Sequence, residues 1–144
     1  MKKSRHEMRK LLFPYMETPT FDSQLESTRL KFDVEYHSTA RKFLSDIGVK
    51  AREKIYENVN RCRVEQNPQL FKKVTDVLWE FRTNYQGLQY RLLAFWDKRI
   101  ENRPIVRVTH GFIKKTGKIP SHELKRARSI SKQFSQNMGH EKKA

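Results

Sequence analysis

Two β-rich runs on either side of Asn84-Tyr85-Gln86-Gly87 constrain this chain more than any other feature. Val77 to Arg82 precedes the tetrapeptide and Gln89 to Asp97 follows it; both runs carry Leu, Phe and Trp, and the second also Tyr90. A short polar turn ending in Gly sends the chain back on itself, so the spacing predicts an antiparallel hairpin. A polar loop from Lys98 to Pro104 leads to a third β segment, Ile105 to Phe112, which extends the hairpin into a meander. After Pro120, or capped by Ser121, a last helix begins, with Leu124, Ala127, Ser131 and Phe134 as its narrow buried side.

Upstream the period of the apolar residues changes. Leu30, Phe32, Val34 and Tyr36 alternate with Lys31, Asp33 and Glu35, the pattern of a half-buried strand. Ser38 then caps a helix in which Ala40, Phe43, Leu44 and Ile47 share one face, and Gly48 ends it. A second helix over 49–66 carries Ala51, Ile55, Val59 and Cys62 on one stripe and stops at Asn67-Pro68. Residues 1–29, with Pro14, Pro19 and several Ser and Thr, read as an arm or linker with a short helix over 3–12. The domain then covers 30–136, and 137–144 is a frayed, flexible tail. The order strand, two helices, three strands, helix predicts an α+β fold with a largely antiparallel sheet.

Charge narrows the partners. The chain has 31 Lys and Arg against 16 Asp and Glu, a net charge of +15 over 144 residues. That excess calls for a polyanion: nucleic acid, an anionic membrane or an acidic protein. Residues 105–132 hold eight of the basic groups and a single acid, Glu123. No run approaches the roughly 20 apolar residues of a membrane span. The apolar patch Leu11-Leu12-Phe13 is too short for a signal-peptide core, so the expected address is the cytoplasm. The single cysteine, Cys62, cannot form an internal disulfide and falls on a helix's apolar phase, as a core residue would.

The five histidines lack metal-ligand spacing and the five glycines form no nucleotide-binding loop, so neither metal nor cofactor is expected. The informative segment is His110-Gly-Phe-Ile-Lys-Lys-Thr-Gly-Lys-Ile-Pro120. It leaves a strand and sets Lys114, Lys115 and Lys118 beside the start of a helix, an arrangement suited to phosphate; a solvated basic loop is the plainer alternative. Arg82 and Arg91 fall across one hairpin ladder. Arg82 shares a face with Glu80, which leaves a structural ion pair open. Arg91 either points outward by alternation or serves a site; in both cases it falls outside the expected core. Trp79, Phe81, Tyr90, Phe95 and Trp96 suit a core or a base-stacking surface, and Tyr85 and Phe112, at strand ends near the basic groups, suit stacking better.

Leu78-Trp-Glu-Phe-Arg82, Gln89-Tyr-Arg-Leu-Leu-Ala-Phe95 and the 110–120 segment together resemble the signature of phage-derived HigB-like toxins of the RelE/ParE superfamily. The likeness covers about 30–134; it departs at Ile119, where the family has Thr, and in the arm at 1–29. It implies a RelE-like fold and a toxin of a type II toxin–antitoxin system that cleaves messenger RNA on the ribosome. The implied chemistry is metal-independent transesterification. The implied partners are ribosome-bound mRNA and a helix-turn-helix antitoxin, in a hetero-oligomer and away from membranes. By position in the pattern, Arg82, Arg91, Lys114 and Lys115 carry over as catalytic cations. His110 is a candidate for proton transfer, or a buried histidine. Lys72, Lys73, Tyr85, Phe112, Thr116, Lys118, Lys125 and Arg126 are the candidate RNA contacts. A non-catalytic nucleic-acid-binding module on the same fold is the alternative; the 110–120 segment argues against a ParE-like topoisomerase inhibitor.

Overall fold

The computed structural model describes residues 30–99 and 103–143, with side chains through Phe134. The arm at 1–29, with its expected helix over 3–12, lies outside the described residues. All the elements below lie within the unit Lys31–Ala144.

Those elements are β1 (Asp33–Tyr36), α1 (Ser38–Asp46), α2 (Val49–Val64), β2 (Phe71–Lys73), β3 (Trp79–Tyr85), β4 (Leu88–Asp97), β5 (Ile105–Lys114) and α3 (Ser121–Lys143). They form an α+β unit with a five-stranded sheet ordered β1-β5-β4-β3-β2. The sheet is mixed and largely antiparallel: β1 runs parallel to β5, and the other neighbours are antiparallel.

Local patterns hold for the helical half. Ala51, Ile55, Val59 and Cys62 are all buried, and burial pushes the Cys62 thiol up to about 11, the behaviour of a core residue. The α1 cap is His37 rather than Ser38: its Nδ1 accepts from Thr39 N at 3.3 Å. The hairpin turn is tighter than expected. Gln86 and Gly87 both have positive φ, so β3 extends to Tyr85 and a two-residue turn closes on Leu88. The backbone of α3 stays helical through Lys143, into the expected tail. Its buried side is Glu123, Ala127 and Ile130, with Ser131 and Phe134 only half-buried.

The sheet separates two cores. On one face α1 and α2 cover Phe32, Phe71, Phe81, Tyr90, Leu92, Val106 and Val108, with Trp79 and Trp96 packed against them. On the other face α3 lays Ala127 on Leu78 and Leu93, with Phe112, Ile119 and Leu124 alongside. The aromatic residues at 79, 81, 90 and 96 therefore serve the first core, not base stacking. Between Leu93 and Ala94 the register to β5 shifts: Ala94 pairs Val108 and Leu93 pairs His110, leaving Thr109 as a bulge. The bulge inverts the alternation of β5, so Val106 and Val108 face α1 and α2 while His110, Phe112 and Lys114 face the α3 side. Gly111 then lies under α1, where a Cβ would run into the Phe43 ring and sit 2.8 Å from Leu92 Cδ2.

Candidate nucleic-acid interface

Because strand side chains alternate, register alone fixes what stands on the α3 side of the sheet. Glu80, Leu93 and His110 form one cross-strand row, Arg82, Arg91 and Phe112 the next, and Asn84, Gln89 and Lys114 the third. Helix α3 packs on β4 and β5 and covers the first row. The second and third rows run out to solvent: Asn84 and Gln89 are exposed, and Arg82, Phe112 and Lys114 are half-buried.

Glu80 organises this face. Its carboxylate, 8% exposed, lies 3.6 Å from Arg82 Nε and 3.8 Å from Arg91 Nε. Sequence reasoning treated it only as a rival for Arg82; here it spans both arginines. Arg91 corrects an expectation. It is 1% exposed and one of the most completely buried large side chains, not a residue outside the core. Its guanidinium donates to Asn84 Oδ1 (3.2 Å), Tyr90 O (2.9 Å) and Gln89 Oε1 (3.1 Å). Burial lowers its pKa from the ordinary value, Glu80 opposes this, and the charge of Arg82 adds to it. The cation open to a ligand in this row is Arg82, with a third of its side chain exposed.

The second correction is His110, which is fully buried beneath α3 and cannot touch a substrate on the open face. Thr109 Oγ1 gives its proton to Leu93 O, so His110 Nδ1 donates to Thr109 Oγ1, 3.2 Å away. Nε2 is left without a hydrogen bond, 3.6 Å from Glu123 Oε2. Burial, with the charges of Arg126 and His122, pushes the imidazole down to about 4. An unfolded chain takes this proton at about pH 6.5. Between these values the unfolded state binds more protons, so stability falls as pH drops from 6.5 to 4. The loss is about 3 kcal/mol. Urea midpoints at neutral and mildly acidic pH measure it, and His110→Gln is expected to flatten this part of the profile. An equally steep profile in that variant would remove His110 as the cause.

The remaining candidates divide. Lys115, Thr116 and Lys118 are exposed in the turn after β5, where Thr116 Oγ1 donates to Lys118 O at 2.8 Å. Lys125 and Arg126 are exposed on the first turns of α3. Glu123 places an acid in the first turn of α3, which works against the phosphate arrangement expected at this helix start. Lys72 pairs with Glu80 and shares its face, whereas Lys73 pairs with Trp79 and belongs to the other. Tyr85 packs against the α1–α2 core and so cannot stack on a base beside Arg82. Phe112 stands on the face of Arg82 and Arg91, half-buried at the edge of the α3-side core. Among the described residues no group of three or more His, Cys, Asp or Glu could hold a metal ion, and no helix is long and apolar enough to cross a membrane.

Residues 42–132, well over half of the chain, match the family described as phage derived protein Gp49-like (DUF891). The chain belongs to this family. It is a toxin-like family related to RelE and HigB, compatible with a toxin of a toxin–antitoxin system and so with an antitoxin as partner. A search of curated proteins gives no match. The family match runs from within α1 to within α3, and so includes every residue of the three cross-strand rows.

Proposed function

We propose that this protein is the toxin of a type II toxin–antitoxin pair and cleaves messenger RNA on the ribosome. The observation that carries this reading is the half-open face on which Arg82, Phe112 and Lys114 stand together over a buried Arg91–Glu80 pair. Membership of a toxin-like family agrees with it.

The reaction is transesterification: the RNA 2′-oxygen attacks the adjacent phosphorus and the 5′-oxygen leaves, so the RNA supplies its own nucleophile and no metal is needed. Arg82 and Lys114 bracket the scissile phosphate and neutralise the charge that grows on it. Lys115 and Lys118 hold flanking phosphates, and Phe112 offers a ring to a splayed base. Glu80 is a positioning residue: it anchors Arg82 Nε from below and leaves the terminal nitrogens for phosphate. Arg91 stiffens the floor and adds positive field from beneath. An antitoxin with a helix-turn-helix domain would hold the toxin inactive.

Primer extension on cellular mRNA after induced expression tests this. Cuts are expected within translated frames and are expected to vanish when initiation is blocked. Growth arrest without cuts would overturn the nuclease reading and leave a nucleic-acid-binding module.

A further inference from the structure

We propose that the outer end of β3 and the facing side of α2 form a second RNA track, which carries the single strand as it leaves the cleft. The inference rests on the RNA reading of the cleft. Strand β2 pairs with β3 at Trp79–Phe81 and Arg82 N donates to Leu70 O at 2.7 Å, so the β3 edge opens only beyond that bond, from Thr83 onward. A groove of about 530 Å³ lies there, lined by Lys54, Asn58 and Arg61 from α2, Gln69 and Leu70 from the segment before β2, and Arg82 and Asn84 from β3. Residues 54, 58 and 61 follow i, i+4, i+7 spacing, so one helical side presents all three to the groove.

Two residues join this groove to the cleft. Arg82 reaches Glu80 on the sheet face and also lines the groove; Asn84 accepts from Arg91 and does the same. A strand crossing the sheet from Lys114 over Arg82 therefore passes directly between Lys54 and Arg61. Among the described residues no carboxylate lines the groove. Glu57, on the helix surface, pairs with Lys54 at 3.6 Å and Arg61 at 3.8 Å. All three side chains are 40% or more exposed, so these pairs are weak and exchange readily for phosphate. Asn58 is already committed to Thr83 Oγ1 at 3.0 Å and fixes α2 against the strand. Apart from Leu70, the described lining consists of cations and amides with no aromatic ring, which suits backbone tracking without base selection.

Binding of fluorescein-labelled uridine trinucleotide and dodecanucleotide to the full chain, followed by anisotropy as salt rises, tests the track. The trinucleotide spans only the cleft. K54E/R61E is expected to weaken the dodecanucleotide about tenfold and to bring the two affinities closer together. K54A/R61A should lower the salt slope for the dodecanucleotide by about 1.4, near 0.7 for each lost phosphate contact. E57Q, which removes the competing carboxylate, should tighten the dodecanucleotide about twofold, an outcome that disruption of the fold would not produce. R41E/K42E, an equal change of charge at exposed sites on α1, should leave the ratio of affinities as in the parent. K114E reports on the cleft itself. If it weakens both oligonucleotides while K54E/R61E leaves their ratio unchanged, the track is overturned and an acidic protein segment becomes the occupant to test. If K114E affects neither, the RNA reading of the cleft fails first.

Discussion

Lys114→Ala is expected to lower mRNA cleavage about a hundredfold, and Lys114→Ala with Lys115→Ala to abolish growth arrest, in a protein that still folds. Preorganised donors aimed at developing phosphate charge contribute about 10²- to 10³-fold each in comparable sites. Lys114 ends β5 in the row of Gln89 and Asn84, half-exposed, and Lys115 is exposed beyond it. Neither belongs to the core clusters, so each truncation should cost no more than about 0.5 kcal/mol of stability. Growth curves after induction, with soluble yield and melting temperature measured on the same variants, separate loss of function from loss of fold. Full toxicity in the soluble double variant would remove the lysine pair from the mechanism.

Arg91→Ala is expected to act in the opposite way, by unfolding the protein. The guanidinium is fully enclosed, holds Asn84, Gln89 and the Tyr90 carbonyl, and faces the buried Glu80 carboxylate. Removing one partner of a buried pair costs about 3–5 kcal/mol, because the other charge is stranded. That is a large part of a typical stability of about 5–15 kcal/mol. At roughly 3–4 °C per kcal/mol for a domain of this size, the melting temperature should fall by about 10 °C or more. A cycle with Glu80→Gln isolates the pairing: with the carboxylate neutralised, Arg91→Ala should cost distinctly less. A melting temperature within about 2 °C of the parent would contradict the buried placement. Loss of toxicity in Arg91→Ala therefore reports on the fold before it reports on chemistry, and Arg82 and Lys114 are the positions at which charge can be removed to test catalysis.

What the sequence determined by itself is what depends on near neighbours. The stripe Ala51, Ile55, Val59 and Cys62 is a property of helical period, and all four are buried where that period puts them. The hairpin follows from turn chemistry at Gln86-Gly87, and its register sets Arg82 opposite Arg91. The basic stretch at 105–132 was visible as charge alone. Strand β2 left no trace, since three residues carry no readable period and are held by pairing to β3. The parallel pairing of β1 with β5 joins residues some 70 positions apart, beyond any local pattern. Tertiary structure also decided which cations face a ligand. Without the bulge at Thr109, His110, Phe112 and Lys114 would share the side of Val106 and Val108; one unpaired residue moves them to the side of Arg82 and Arg91. The same packing encloses Arg91 and His110, because burial depends on what settles above a strand: Asn84, Gln89 and Glu80 over the arginine, and Glu123 of α3 over the histidine. Alternation along one strand names a face, but only the elements packed on that face decide whether it meets water.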